Sequence, residues 1–187
     1  KFVPADKYLL TQAKVEVDGT RSGSMENYLR QKPNSTILGF WHLQLDIYNT
    51  APTDTTTRAK KRLARNAHKM GEAPEIYDEE KTAQSMKQLR KAMQNKGYFN
   101  ATVDTVTSVK NRKLRLTYAV HAGDGYHIKS WTPNSPELEP IVGQYAKQGN
   151  AIRVGELYNT SVLDGERERI AKAMRDDGFY RFEKSML

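Results

Sequence analysis

The sequence predicts an α+β fold of two tandem β-α-α-β-β units, each a small three-stranded mixed sheet with two helices on one face, the second unit being truncated. Two observations support this. Lys91–Phe99 and Lys172–Tyr180 align without a gap at a shift of 81 residues, and each contains a glycine followed by two aromatic residues; such a repeat defines the architecture. Lys113–Val120 alternates large apolar residues with polar or small ones, which is the period of a half-buried strand.

The first unit begins with a strand and a short helix. Tyr8–Val17 alternates apolar with charged residues in its second half, so we expect a strand there. Ser24 offers an N-cap for a short helix over Met25–Arg30. The apolar side chains that this helix is expected to bury are Met25, Tyr28 and Leu29.

A longer helix follows and ends at the first repeated glycine. Asp78 or Thr82 is expected to cap it, and it runs to Lys96. Its apolar residues recur every three or four positions and therefore share one side; they are Met86, Leu89 and Met93. Gly97 stands where a helix end requires a left-handed residue.

After this glycine the sequence predicts a hairpin. Tyr98–Val109 and Lys113–Val120 are its strands, joined by a turn at 110–112. We expect the second strand to be central and the first to be an edge strand. An exposed edge favours aggregation unless it is used, for example to add a partner's extended segment as an extra strand. The candidate client-binding residues on this edge strand are Tyr98, Asn100, Thr102, Asp104, Thr105 and Thr107.

The second unit repeats the order of the first. Its predicted elements are a strand over Tyr126–Lys129, a short helix over Pro140–Lys147, a longer helix over Tyr158–Arg175 and a strand over Phe179–Leu187. The distance from the first strand to the repeated glycine is 89 residues in the first unit and 52 in the second. We therefore predict a first domain over 1–122 with an insertion at about 33–70, and a second domain over 123–187 that is incomplete at its C-terminus.

The insertion contains an apolar cluster and a basic helix. Alternation over Trp41–Ile47 is compatible with a strand, a tilted helix or a loop. Arg58–Met70 has helical spacing, and a thin face is expected to be buried: Ala59, Leu63, Ala67 and Met70. The candidate contacts to an anionic surface are Arg58, Lys60, Lys61, Arg62, Arg65 and Lys69. Lipid or nucleic acid would both fit this charge, but aromatic residues for base stacking are absent from the helix.

Composition limits the other function classes. The net charge of +8 is compatible with an acidic partner and also with a dispersed surface. The chain has no cysteine, which excludes disulfides, cysteine-ligated zinc and a thiol nucleophile. No apolar run reaches the length of a membrane span. Because the sequence starts at Lys1 without a signal pattern, we expect that a targeting segment has been removed.

No catalytic, cofactor-binding or metal-binding constellation stands out. His121, Asp124 and His127 are close in sequence, but no third ligand has the usual spacing, so solvated histidines are the simpler interpretation. Glycine-rich phosphate loops, nucleophile elbows and zinc-protease motifs are absent. We therefore expect a non-enzyme that needs no cofactor.

The order of elements and the motif after each long helix resemble the polypeptide-transport-associated (POTRA) domain. The residues that carry the resemblance are Gly97–Phe99, Gly178–Tyr180, and Tyr126–Ile128 following Tyr118–Val120. Three further segments resemble the N-terminal part of BamA/TamA-like surface-antigen proteins, especially the lipoprotein variant called TamL: Leu29–Ser35, Ile47–Asn49 and Gly71–Pro74. The resemblance spans nearly the whole chain, whereas an insertion at 33–70 departs from a minimal domain.

This resemblance implies a periplasmic array of such domains preceding an outer-membrane β-barrel and acting in protein assembly and transport. The barrel and a lipid-bearing cysteine are expected outside residues 1–187. The expected function is a non-catalytic binding and scaffold module, whose partners are unfolded outer-membrane proteins or other subunits of the assembly machinery. The alternative is a basic domain that contacts anionic lipid or nucleic acid through Arg58–Lys69.

Overall fold

The structure is a computed structural model that describes residues 2–19, 25–38, 41–131, 143–144 and 149–187. In these ranges it contains three strands and four α-helices. In chain order they are β1 (Leu9–Asp18), α1 (Leu43–Asn49), α2 (Arg58–Met70), α3 (Glu79–Asn95), β2 (Thr102–Lys110), β3 (Lys113–His121) and α4 (Thr160–Asp176). Two short 3₁₀ helices lie at Glu26–Tyr28 and Lys184–Met186. The predicted α+β class with a three-stranded mixed sheet is confirmed.

The three strands form one sheet in the order β1-β3-β2. β1 runs parallel to β3, with Leu10 opposite Leu114 and Val17 opposite Val120. A parallel pair needs a long crossover, and the chain between β1 and β3 contains α1, α2, α3 and β2. The predictions that β3 is central and that the strand before it lies at an edge are confirmed.

The sheet has one buried and one open face. Along β3 the large apolar side chains are buried, and Lys113 and Arg115 on the opposite face are exposed. The buried set is Leu114, Leu116, Tyr118 and Val120. Leu10 of β1, opposite Leu114, is also buried, and the other β1 positions paired with this set, such as Val15 opposite Tyr118, are half-buried. This pattern is typical of a sheet that packs on a core with one side only.

The chain divides into two compact units. One comprises Lys1–Arg90 with Val103–His121, and the other comprises Lys91–Thr102 with Ala122–Leu187. These limits show where the chain is compact, and they do not mark where each repeat begins. The predicted domains, 1–122 and 123–187, therefore stay a prediction.

The two long helices are equivalent in detail. α3 and α4 both have 17 residues and start 81 positions apart. The side chain of Asp78 accepts a hydrogen bond from the N–H of Lys81, and Asn159, at the equivalent position, accepts one from Ser161. These side chains satisfy N–H groups that have no partner inside the helix. The predicted cap at Asp78 is confirmed.

Both helices also end in the same way. Gly97 and Gly178 have φ angles of +92° and +100°. The N–H of the following residue, Tyr98 or Phe179, donates to the carbonyl five positions earlier, at 3.0 Å in each case. A left-handed glycine followed by this hydrogen bond is a common helix stop. The left-handed residue predicted at Gly97 is confirmed.

The beginnings of the two units share a further pattern. In the first, Leu10 N–H donates to Glu75 C=O at 2.8 Å, and Tyr77 N–H donates to Tyr8 C=O at 2.9 Å. In the second, Ile128 N–H donates to Glu156 C=O and Tyr158 N–H to Tyr126 C=O, both at 2.8 Å. The segments that begin at Tyr8 and Tyr126 are thus 118 residues apart, whereas the segments that they pair with are 81 residues apart. The first unit therefore has 37 more residues between its two paired segments than the second unit has.

Two predicted strands of the second unit are wrong in their type. Tyr126–Lys129 forms only an isolated antiparallel bridge, between His127 and Leu157. Phe179–Leu187 turns into the 3₁₀ helix at Lys184–Met186. A strand needs a neighbour for its backbone groups, and the described residues of this unit contain none beyond that bridge. The predicted helix over Pro140–Lys147 lies, except for 143–144, outside the described residues.

One prediction for the first 50 residues needs correction, and one open alternative is decided. The short helix at Met25–Arg30 is a 3₁₀ turn that buries Met25 and Leu29 but leaves Tyr28 41% exposed; its predicted cap, Ser24, lies outside the described residues. Of the three alternatives for Trp41–Ile47, the helix is the one that forms: α1 begins at Leu43 and buries Leu45. Periodicity over so few residues does not distinguish a strand from a short helix.

The basic helix α2 has the predicted limits but a different buried face. It begins at the cap Thr57, whose hydroxyl accepts a hydrogen bond from Lys60 N–H. Its buried residues are Ala64 and Ala67, which form a small cluster with Ala51 and the partly buried Phe2. Of the predicted buried face only Ala67 is buried: Ala59 is exposed, and Leu63 and Met70 are 56% and 70% exposed.

Candidate functional site: an open sheet edge

The candidate site is the outer edge of β2. This nine-residue strand pairs with β3 on one side only. Apart from the hairpin itself, no described backbone group forms a hydrogen bond with Thr102–Lys110. The strand therefore presents a row of backbone donors and acceptors that no described segment of the chain pairs with.

The turn of the hairpin determines which backbone groups point outward. Asn111 and Arg112 both have positive φ, 50° and 61°, as a two-residue type I′ turn requires. In such a hairpin the flanking residues, Lys110 and Lys113, exchange hydrogen bonds, and every second residue does so thereafter. The even-numbered residues of β2 therefore bond to β3, and the backbone groups of the odd-numbered residues 103–109 face the free edge.

Few of the usual protections of an edge strand are present on β2. Between its ends it has no proline and only one charged residue, Asp104. Threonine and valine, which favour strands, make up most of it. Val106 and Val109 are 62% and 50% exposed. Natural proteins block free edges with lysine, proline or bulges, so an edge of this composition is suited to pairing.

The opposite edge of the sheet differs. The start of β1 is covered by the segment Glu75–Tyr77, through an antiparallel bridge between Leu9 and Ile76 and the two hydrogen bonds described above. A second strand therefore cannot add at that position without displacing this segment. The outer edge of β1 is thus covered at its start, whereas no described segment covers any part of the outer edge of β2.

The predicted client-binding residues divide into two groups. Thr102, Asp104, Thr105 and Thr107 lie on β2 and are exposed. Tyr98 and Asn100 do not, because the strand begins at Thr102. They belong to the turn after α3, where the Asn100 amide lies 3.2 Å from the Tyr126 hydroxyl. The prediction placed the strand directly after Gly97 and missed this turn, in which Ala101 N–H donates to Tyr98 C=O.

A cluster on the open face was not predicted. His121 Nδ1 lies 2.6 Å from Asp18 Oδ2, and His121 Nε2 lies 3.9 Å from Asp104 Oδ2. The parallel register pairs Asp18 with His121 at the ends of β1 and β3. Register cannot be read from one strand, so this contact has no signal in the sequence. All three side chains are more than half exposed, and they form a solvated polar end of the sheet.

The other end of the open face is basic. Ser108 and Lys110 of β2, with Lys113 and Arg115 of β3, line a cleft of about 860 Å³. The opposite wall includes Pro33–Asn34 and His42, and no acidic residue lines the cleft. The candidate site is therefore positively charged at the end of β2 that leads into the hairpin turn.

The wall of this cleft is anchored by hydrogen bonds that join the two ends of the predicted insertion. Asn34 is buried and bonds through its side chain to Ala73 C=O and Glu75 N–H. Ser35 donates through its hydroxyl and its N–H to Glu72 Oε2, at 2.6 and 2.9 Å. Burial acts to raise the pKa of Glu72, but the hydrogen bonds from Ser35 and Asn34 outweigh it and lower that pKa.

The basic residues of α2 form a second candidate surface, on a different element from the candidate site on β2. Lys60 is paired with Asp54 at 2.5 Å, and this hydrogen bond lowers the pKa of the Asp54 carboxyl. No described carboxylate lies within ion-pair distance of the other five cations of α2. These are Arg58, Lys61, Arg62, Arg65 and Lys69.

In the described part of the chain no group of three or more His, Asp or Glu side chains is placed to hold a metal ion. His127, one of the residues considered for a metal, pairs through its backbone with Leu157. No helix among the described residues is long and apolar enough to cross a membrane.

Comparison with known proteins identifies the family. Residues 13–123 match the POTRA family model, described as "Surface antigen variable number repeat". The match covers more than half of the chain, and it includes all of β2 and β3 and most of β1. The chain belongs to the POTRA family.

Among solved structures, the crystal structure of POTRA domains 3–5 of BamA from Haemophilus influenzae aligns with 96% of this chain and 90% of its own chain. The identity is 15% and the TM-score is 0.31. No curated protein sequence matches the chain. POTRA domains are non-catalytic scaffold domains.

Proposed function

We propose that this POTRA chain is a non-catalytic periplasmic module of an outer-membrane protein assembly or insertion factor, and that it captures extended client segments on the edge of β2. POTRA domains are periplasmic scaffold modules of outer-membrane assembly proteins. The observation that carries the finer proposal is the open nine-residue edge of β2. The clients would be unfolded outer-membrane proteins or extended segments of other assembly subunits.

The edge suits clients of varied sequence. Backbone hydrogen bonds provide affinity in strand addition, while side chains adjust specificity. The exposed side chains of β2 are mainly hydroxyls and small apolar groups, which can lie beside many different client side chains. The one directional feature is charge, since Lys110, Lys113 and Arg115 lie at the turn end. A client with acidic residues toward that end would bind more tightly.

Proline substitution tests the proposal at the backbone. Thr105→Pro and Thr107→Pro each remove an N–H that faces the free edge, and they leave the bonds from β2 to β3 intact. We expect each to reduce crosslinking between a photoreactive group at Val109 and a urea-unfolded outer-membrane barrel protein by about tenfold, since at least one backbone hydrogen bond and the local strand geometry are lost.

Matched alanine variants provide the control. Thr105→Ala and Thr107→Ala remove the same side chains and keep the N–H groups, so crosslinking should persist. Circular dichroism verifies that the proline variants remain folded. Equal crosslinking of folded proline variants and of the unchanged chain would refute capture by β2.

Three further parts of this proposal rest on the sequence resemblance alone. They are the assignment to the TamL lipoprotein variant, a β-barrel that follows the chain, and a lipid anchor. The natural sequence before Lys1 and after Leu187 tests them directly. A lipid-modification motif with its cysteine is the expected result upstream, and a barrel sequence is expected downstream.

A further inference from the structure

Helix α2 presents an unusual surface to solvent. Between Arg58 and Met70 it has six basic residues and no acidic one. Only Ala64 and Ala67 are buried. A helix of this length is normally held by a broad apolar face, whereas α2 is held by these two alanines and by His68, which stacks on Tyr48 and meets Phe2 edge-on. The opposite side of the helix, which carries most of its cations, has no described contact.

Four of the five α2 cations without a described carboxylate partner form a row along the helix. Successive residues turn by about 100° around an α-helix. Arg58, Arg62, Arg65 and Lys69 therefore fall within one narrow sector, which lies opposite the sector of Ala64 and Ala67, and Lys61 lies beside it. Lys60, which pairs with Asp54, projects on the buried side. The row that points away from the buried face thus has no described counter-charge.

Beside this row lies an apolar pair. Leu63 and Met70 are seven residues apart, or about two turns, and they occupy one sector between the basic row and the buried face. They are 56% and 70% exposed. An isolated exposed apolar side chain has no special meaning, but here two of them line up next to four cations on the same helix.

We propose that this face of α2 binds the surface of a bilayer containing anionic phospholipids. The row Arg58, Arg62, Arg65 and Lys69 would contact headgroup phosphates, while Leu63 and Met70 enter the boundary between headgroups and acyl chains. Helices that lie in the membrane interface combine a basic polar face with large aliphatic side chains in this way. Because it acts through α2, this interaction is independent of client capture on β2.

The apolar pair favours lipid over nucleic acid. A nucleic acid would use the cations but gives Leu63 and Met70 no apolar environment, and it is bound by stacking on aromatic residues, of which α2 has none. A bilayer satisfies both features at once. Arginine also suits phosphate, because its planar guanidinium makes two parallel hydrogen bonds.

The test uses the whole chain with vesicles of phosphatidylcholine, prepared with and without phosphatidylglycerol. We expect co-sedimentation with the anionic vesicles only, and a decrease on adding salt, because exposed charges are screened. Each cation near an anionic surface adds roughly fivefold in affinity. The triple variant Arg62→Glu, Arg65→Glu, Lys69→Glu should therefore bind at least a hundredfold more weakly.

Two comparisons separate lipid binding from mere charge. The variant Lys110→Glu, Lys113→Glu, Arg115→Glu changes net charge equally but lies on the sheet, so it should retain most of the vesicle binding. The variant Leu63→Ser, Met70→Ser keeps every charge and should weaken vesicle binding by at least tenfold. All these positions are exposed, and circular dichroism checks each fold.

Insertion of α2 is measured directly with a fluorophore. The chain has no cysteine, so Leu63→Cys accepts a single environment-sensitive label, whose emission should shift to the blue with anionic vesicles. No shift, or equal losses from the α2 and sheet triple variants, overturns the proposal. The proposal is also overturned if the chain binds DNA or RNA more tightly than vesicles and the variant Leu63→Ser, Met70→Ser binds as well as the unchanged chain. That result would identify a nucleic-acid surface.

Discussion

The segments after α3 and α4 start identically and then diverge. Up to Gly97 and Gly178 they share helix length, cap, buried methionine and glycine conformation. Ala101 N–H then donates to Tyr98 C=O, and Phe182 N–H donates to Phe179 C=O at the equivalent position. Beyond this turn the segment after α3 becomes strand β2, whereas the segment after α4 becomes a 3₁₀ helix.

The difference separates local from non-local structure. The helix stop needs only residues within one turn, namely the glycine and the carbonyl five positions before the aromatic residue. A strand needs a partner. In the first unit, two residues separate the end of β2 from the start of β3, which becomes its partner. β3 is itself paired with β1 on its other side. Within the described residues of the second unit, the segment after Phe182 has no neighbouring strand.

The helices differ in one buried position. Ser85 and Glu166 are equivalent and both are buried, at 0% and 2% exposure. Ser85 donates to Lys81 C=O within its helix and accepts from Arg30 N–H. Glu166 is instead held by Arg169, whose guanidinium approaches its carboxylate at 2.6 and 2.9 Å, and this pairing raises the pKa of Arg169. The second unit thus contains a buried charge where the first has a hydroxyl.

The largest effect is expected from removing the partner of that charge. Arg169→Ala leaves the carboxylate of Glu166 buried and uncompensated, so we expect a loss of about 3–5 kcal/mol in unfolding free energy. Gln88→Ala, at the equivalent position of α3, should cost less than about 1 kcal/mol. Urea unfolding followed by circular dichroism measures both. Glu166→Gln added to Arg169→Ala should recover part of the loss; no recovery contradicts the role of the charge.

Truncating the buried methionines tests whether the two helices are equally well packed. Met93 and Met174 are 0% and 1% exposed, so Met93→Ala and Met174→Ala should each cost about 2–5 kcal/mol through lost contacts and a cavity. The exposed Met70 supplies the control, since Met70→Ala should change stability by less than about 0.5 kcal/mol. A negligible loss at Met174 would show that the second helix is only loosely packed.

The smallest effects are expected at the two glycines, and they should differ. A Cβ at Gly97 would lie 2.6 Å from the carbonyl oxygen of Tyr158, whereas a Cβ at Gly178 would meet nothing within 4 Å. Gly178→Ala therefore has only the cost of a left-handed alanine, about 1 kcal/mol. Gly97→Ala must also displace backbone, and we expect about 2–3 kcal/mol. Thermal unfolding measures both; equal losses would mean that the contact with Tyr158 is relieved without cost.

The sequence predicted the elements whose signals are local. α2, α3 and α4 were located within a few residues because capping residues and helical periodicity lie inside the segments themselves. The hairpin was found because the strong alternation of β3 follows a short polar turn. The start of β2 was misplaced, since the turn at Tyr98–Ala101 depends on contacts with Tyr126, far along the chain.

Burial on α2 was predicted less well, and the reason is geometric. Leu63 and Ala64 are neighbours in sequence but point in directions about 100° apart. Hydrophobicity alone selects Leu63 for the interior, yet the structure buries Ala64, because α2 packs closely on Ala51. Close packing of this kind favours a small residue, and only the position of the partner determines which side of a thin amphipathic helix faces it.

The sequence by itself determined the repeated helix–glycine–aromatic unit, the central position of β3 and the edge position of β2, since capping, chain reversal and alternation are short-range properties. The tertiary structure alone decided which copy forms a strand, because backbone pairing requires a neighbour. It also decided that the start of the β1 edge is covered, that no described segment covers the edge of β2, and that Leu63 and Met70 lie in solvent. Each of these depends on which distant segment packs nearby, and that is not written in the segment itself.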